Sequence, residues 1–326
     1  MAGFTILYSS CNSDNDVASS TSELPDTVVI RESDFYPEGI AYNEDEQVFY
    51  TGSIRKGKII SIDLDGNQQV FAEDNTLVSV LGTVIDKTNN RLIVCNTDPG
   101  VGTKSDPATV GQLAQIISYD LSTGNKIRTV DLGSLTQGSH LANDVTVDNE
   151  GNIYVTDSFS PVIYKVDTLG NASVLINDPL FSAPPGFFGL NGIVYHPDNY
   201  LIVGKYDEGR LFRVSLDGTS NSITEITLDV PVHSVDGLLL TDNNTLLLAS
   251  NNIAGADFDE AVYEITTSDD WVTGSIDNTF TTPLDAFPTT LDRVENNVYV
   301  VYASLSALFG GVTPPIEAFP IQKITF

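Results

Sequence analysis

HLANDVTVDNEGNIYVTDS, residues 140–158, combines two signals that do not belong together. From Val145 onward it alternates apolar and polar, turns at Asp148–Asn152, and alternates again, as two antiparallel strands joined by a tight turn do. Directly before that run stand Asn143 and Asp144, residue types that strands avoid. The arrangement recurs along the chain. PEGIAYNEDEQVFYTG begins at Pro37, VLGTVIDKTNNRLIVCNTD at Val80 and LNGIVYHPDNYLIVGKYD at Leu190. VDGLLLTDNNTLLLASNN follows from Val235 and PTTLDRVENNVYVVYAS from Pro288. A short mouth precedes a strand each time, and an Asp/Asn/Gly turn leads into a second strand.

Third strands follow after short loops, as in IISIDLDG (59–66), VIYKVDTLG (162–170) and LFRVSLDG (211–218), and fourth strands after those. Units start about 45 residues apart, with one longer interval where DPGVGTKSDPATVGQ (98–112) is inserted. Four strands at that spacing, with no long helical periodicity, predict an all-β chain folded as a six-bladed β-propeller with four-stranded antiparallel blades. A β-helix or a pair of sandwiches does not explain a mouth repeated every four strands. The spare strand PDTVVIRES (25–33) precedes the first unit, and the sixth is short of strands, so the N-terminal strand is expected to close the ring. Residues 25–326 are therefore read as a single domain.

The 326 residues are 41% hydrophobic, enough for a substantial core. Against 15 Lys and Arg stand 44 Asp and Glu, a net charge of −29, which argues against nucleic acid and anionic membrane surfaces as partners. Such a surface keeps the chain soluble and favours cations. A monomer acting on a small molecule is expected. Cys95 lies in an apolar strand and reads as a buried small hydrophobe. Residues 1–24 differ in character: a short apolar run, Cys11 and a Ser/Asp/Asn tether resemble a bacterial lipoprotein leader, although no basic residue precedes the run. The resemblance implies lipidation at Cys11 and a periplasmic, cell-surface or secreted location, with membrane contact through that anchor alone. A cytoplasmic location stays open.

In a propeller the first strand of each blade lines the central channel, so the residues at its mouth converge. Those residues are Glu38, Gly82, Asn143, Asn191, Asp236 and Thr289. Four of them, Glu38, Asn143, Asn191 and Asp236, offer hard oxygen donors, and neither His nor Cys stands at these positions. Two carboxylates and two amide carbonyls suit calcium, with magnesium or another divalent cation as the alternative. Without a cation, Glu38 and Asp236 would raise each other's pKa.

The set YPEGI, ANDV, LNGI and VDGL, each in register with a repeat, resembles the senescence marker protein/gluconolactonase family. Its wider relatives include calcium-dependent phosphotriesterases, paraoxonase-like lactonases and strictosidine synthase-like proteins. The resemblance spans residues 25–326. It implies a divalent cation, usually calcium, held by Glu38, Asn143, Asn191 and Asp236, with Asp236 as general base or nucleophile toward a lactone, ester or phosphotriester. A non-catalytic, calcium-braced binding propeller is the alternative, and a lyase of the strictosidine synthase type a more distant one.

Sugar-lactone hydrolases of the family hold an Arg where this chain has Leu141. With Phe187 and Phe188 beside the fourth mouth, that points to a less polar substrate. His140 and His233, each three residues before an expected ligand, are candidates for the substrate rim or a proton shuttle. His196 reads as a turn residue, and Asp98, Asp144 and Asp157 as supporting or turn residues. No G-x-S-x-G elbow and no phosphate-binding glycine fingerprint are present.

Overall fold

The computed structural model describes residues 1, 3, 23–217, 222–253 and 258–326. Cys11 and nearly all of the leader lie outside them. The described chain is built from strands, with three single-turn 3-10 segments and one short helix, Leu305–Phe309, so the all-β expectation holds. No helix among the described residues is long and apolar enough to cross a membrane.

Four sheets have four antiparallel strands each, and a fifth has eight. Three of the four-stranded sheets are simple meanders in which each strand pairs with the next in sequence, starting from Pro37–Asn43, Ser79–Asp86 and Ala142–Val147. In the remaining one, Thr27–Ile30 pairs with the last strand, Phe319–Ile324, which pairs with Asn297–Tyr302 and through it with Pro288–Val294.

The eight-stranded sheet departs from the expected pattern of separate four-stranded units. It joins two antiparallel meanders, starting from Leu190–His196 and Val235–Asp242, through their outermost strands. Ile223–Leu228 and Thr273–Thr281 run parallel there and pair at Thr227–Thr273 and Leu228–Gly274. The cause lies in the loop TSDDW. Trp271 is fully buried and its indole N–H donates to Asn243 O (2.9 Å). Asp269 caps Val272 and Thr273, and the Thr227 amide reaches Val272 O at 3.2 Å. Two outer edges that would otherwise expose unpaired backbone groups thereby satisfy one another.

The innermost strands of the six units pack in succession, Pro37–Asn43 on Ser79–Asp86 and so on, with Pro288–Val294 back against Pro37–Asn43. They line one common cavity. Neighbouring innermost strands share no ladder, so side chains satisfy some of their amides. Asp292 accepts from Tyr42 N–H at 2.6 Å, Asp144 from Ile193 N–H at 3.1 Å and Thr146 from Tyr195 N–H at 3.2 Å. Apolar clusters between adjacent sheets supply the core.

Each innermost strand carries a register shift against its neighbour at its mouth. The shifts fall between Pro37 and Ile40, Val80 and Thr83, Ala142 and Val145, Leu190 and Ile193, Val235 and Leu238, and Pro288 and Leu291. A bulge removes residues from the ladder and re-aims their side chains. Asn143 and Asp144 tolerate the mouth because they sit in such a bulge. The register also corrects one expectation. The second unit's counterpart of Glu38 is Leu81, two positions before the paired Thr83, and not Gly82.

Gly82 instead matches Gly39, Gly192 and Gly237, which lie where the next strand's backbone comes closest. A Cβ on Gly192 would lie 2.1 Å from Asp236 O, and one on Gly237 2.3 Å from Thr289 O. Gly192→Ala is expected to lower stability by about 3 kcal/mol in urea titration, because the obstacle is backbone and cannot turn aside.

Candidate active site

Glu38, Asn143, Asn191 and Asp236 reach one pocket from four different innermost strands, each no more than 5% exposed. One oxygen of each, Glu38 Oε2, Asn143 Oδ1, Asn191 Oδ1 and Asp236 Oδ1, is buried without a hydrogen-bond partner. Such an orphan costs about 1–3 kcal/mol, and more when the group is charged. Four of them at matching positions of four repeats call for a shared partner. Thr289, at the sixth mouth, is not one of them, since its hydroxyl donates to Glu38 O at 2.7 Å.

The other ends of two of these side chains are anchored. Asn143 Nδ2 donates to Ser158 Oγ at 2.8 Å, and Ser158 Oγ donates to Leu190 O at 2.5 Å. That bond orients the amide so that its carbonyl oxygen is the free end. Asp236 Oδ2 accepts from Asn251 Nδ2, which also donates to Pro288 O at 2.9 Å. Tyr206 OH donates to Asn251 Oδ1 at 2.6 Å. The chain Tyr206–Asn251–Asp236 therefore fixes one carboxylate oxygen and leaves Oδ1 facing the pocket.

Electrostatics reinforce the geometry. Burial pushes the Glu38 carboxyl well above the usual range, and the Asp236 and Asp144 carboxylates push it further. Burial likewise raises Asp236, to about 8, with Asp144 adding to the rise while Asn251 and Asn191 oppose it. Asp144 is lifted to about 6 by burial, against hydrogen bonds from the Val145 and Ile193 amides. Three carboxyls raised together, with no cationic side chain among the pocket's lining residues, describe a site short of positive charge.

Leu141 and Phe188, two of the expected rim residues, line this pocket. Phe187 is exposed in an adjoining groove. His140 is not a rim residue. It is 2% exposed, and its Nδ1 lies 2.8 Å from Asp157 Oδ2. Its pKa is raised by that hydrogen bond, against the effect of burial. Asp157 also accepts from the Leu141 amide at 2.8 Å and from Tyr164 OH at 2.9 Å. His140 and Asp157 thus brace the mouth that carries Asn143. His233 is exposed, stacks on Phe258 with ring centroids 4.7 Å apart, and does not line the pocket. His196 accepts from the Asp198 amide in its turn, as expected. Asp98 organises the 98–113 insertion, accepting from Gly100 N–H, Ser105 Oγ and Thr109 Oγ1.

Sequence reasoning missed Ser158, Tyr206 and Asn251. They share a signal: each directly follows the residue, Asp157, Lys205 or Ser250, that pairs with the start of its innermost strand.

The donor set is compatible with a divalent cation. Among the described residues no three His, Cys, Asp or Glu gather. The set here is two carboxylates and two amides, all hard oxygens, with the four orphaned atoms on one pocket.

No family model and no curated protein matches the sequence. Solved structures match its fold. The major allergen Mala s 1 of Malassezia sympodialis is similar at 16% identity and a TM-score of 0.72, over 93% of this chain and 97% of that one. A gluconolactonase from Xanthomonas campestris is similar at 14% and 0.60, over 94% and 93%. The calcium-binding protein regucalcin from Agrobacterium tumefaciens is similar at 15% and 0.61, over 92% and 94%. At these identities the likeness is one of fold, and the chain shares the propeller-like all-β architecture of these proteins.

Proposed function

We propose that the chain is a six-bladed propeller, closed by Thr27–Ile30, that hydrolyses a small lactone, ester or phosphotriester with a divalent cation, calcium foremost, at its channel mouth. The observation that carries this reading is the set of four orphaned, buried oxygens. Glu38, Asn143, Asn191 and Asp236 would hold the cation. When bound, it would supply Lewis-acid polarisation of the substrate's carbonyl or phosphoryl oxygen. The similarity in fold to a gluconolactonase and a calcium-binding regucalcin supports the same reading.

Asp236 is the general base in this scheme. Its carboxylate takes a proton from water as the water oxygen bonds to the acyl carbon, and the protonated Asp236 then gives that proton to the departing alkoxide as the lactone bond breaks. Asn251 holds the far oxygen of Asp236 in place, and Tyr206 holds Asn251. The apolar walls exclude bulk water and strengthen each of these interactions.

A second reading is a non-catalytic binding propeller braced by the cation. It is favoured by the absence of His140 and His233 from the pocket lining, which leaves no histidine there to carry a proton beside Asp236. A screen of lactones, aryl esters and phosphotriesters, run with calcium and with excess chelator, separates the two. Turnover that disappears with chelator is the expected result. Turnover untouched by chelator sinks the metal mechanism, and silence across the panel leaves the binding reading.

A further inference from the structure

Above its four oxygens the candidate site is walled almost wholly by hydrocarbon. Leu81, Leu141, Phe188, Phe287, Leu305 and Phe309 face the pocket, which is narrow above the oxygens and open on one side. None of its described lining residues is Lys, Arg or His. The one hydroxyl there, on Tyr206, is already committed to Asn251. A polyhydroxylated or anionic substrate would find no donors above the floor, and burying its polar groups unpaired is unfavourable. The chain's net charge of −29 further disfavours anions.

The pocket does not end at Phe188. That ring stacks on Phe159, with centroids 5.7 Å apart and planes 25° apart, and touches Phe309 from the short helix at 6.2 Å. Phe159 in turn lines the adjoining groove with Pro184, Pro185 and Phe187. Phe159 is 37% and Phe187 56% exposed. An apolar track therefore continues from the buried oxygens across one aromatic stack to the surface. Exposed aromatics in a run beside a pocket mark a surface that something apolar covers. Continuity with the site identifies the occupant as a part of the same ligand.

We propose that the substrate is a neutral acyl compound with an apolar tail, its carbonyl over the four channel oxygens and its alkyl or aryl tail laid across Phe188, Phe159 and Phe187. The inference rests on the hydrolase reading for the fate of the ligand, but not for its shape.

Two homologous series test it on the full chain with saturating calcium. One is a set of γ-lactones with side chains of increasing length, read as kcat/KM. The other is the matching γ-lactams, which resist hydrolysis, read as affinity by calorimetry. Each added methylene is expected to raise both quantities about two- to fourfold over the first several carbons. Polyhydroxylated lactones of the same ring size should fall about a hundredfold or more below the alkylated ones. Phe187→Ser, an exposed position where folding is not at stake, should flatten both slopes.

Hydrolysis that is indifferent to chain length, or faster on polyhydroxylated lactones, overturns the tail site and leaves the hydrolase reading standing. Lactam affinity that climbs with chain length and flattens in Phe187→Ser, without turnover of any lactone or ester, supports the tail site and removes the hydrolase reading. A concentration-dependent dimer that Phe187→Ser abolishes, with flat lactam slopes, assigns the groove to a second copy and overturns the proposal.

Discussion

Asp236→Asn is expected to lower kcat about a thousandfold on whichever ester or lactone the protein accepts, with the fold intact. The substitution is close to isosteric, and its one amide oxygen can keep the hydrogen bond from Asn251, but it removes the proton acceptor. A thermal melt provides the control. In the wild type without calcium, burial and the nearby carboxylates hold Glu38 and Asp236 far above their ordinary pKa. Neutralising one of the two relieves that strain, so at about pH 8 the cation-free variant should be the more stable protein, by on the order of 2 kcal/mol. A variant that loses turnover and also melts earlier at that pH would mean Asp236 is structural. Asn251→Ala offers a graded comparison. It leaves the carboxylate present but unheld, and about a 10- to 100-fold loss is expected.

Calcium should invert the pH dependence of stability. Asp236 rises from an ordinary 3.8 to about 8 in the folded protein, Asp144 to about 6, and Glu38 rises as well. A raised carboxyl means that the folded state binds more protons than the unfolded one between the two pKa values, so stability falls as pH rises through that window. For Asp144 and Asp236 the contribution is complete below about pH 4 and lost as pH rises through about 6 and about 8 respectively. His140 has the same sign, since its folded pKa is raised above 6.5 by Asp157 and its contribution is lost as pH climbs past that value. In chelator, therefore, Tm should drop steadily from about pH 5 to pH 8. With calcium at a hundred times its Kd, binding adds about 2.7 kcal/mol where the ligands are ionised, and the drop should disappear or reverse. Differential scanning calorimetry across that range, with and without chelator, measures both slopes. A flat apo profile would mean that these carboxyls are not buried together.

The repeat was legible because its two ingredients are local. Strand alternation and Asp/Asn/Gly turns are written over eight to twelve residues, and six copies in one order leave little freedom in how they stack. That Glu38, Asn143, Asn191 and Asp236 share one pocket was legible for the same reason: a polar side chain where a strand should begin has few explanations, and four at matching positions have fewer. What misled was the second unit, where apolar Leu81 stands at the position of Glu38 and gives no polar signal, so Gly82 was read in its place. Proximity in sequence misled too. His140 lies three residues from Asn143, yet the bulge turns Asn143 into the pocket while Asp157 draws His140 into the blade.

From sequence alone came the all-β class, the four-stranded repeat and the identity of four polar residues that share one pocket, because each depends on periodicity along the chain. Tertiary structure alone decided the rest. The pairing of Thr227 with Thr273, the Tyr206–Asn251–Asp236 chain and the aromatic track from Phe188 to Phe187 join different strands and loops. No local pattern records such contacts. They arise when bulged strands from separate units are pressed together, and only then do four polar side chains become four oxygens without partners.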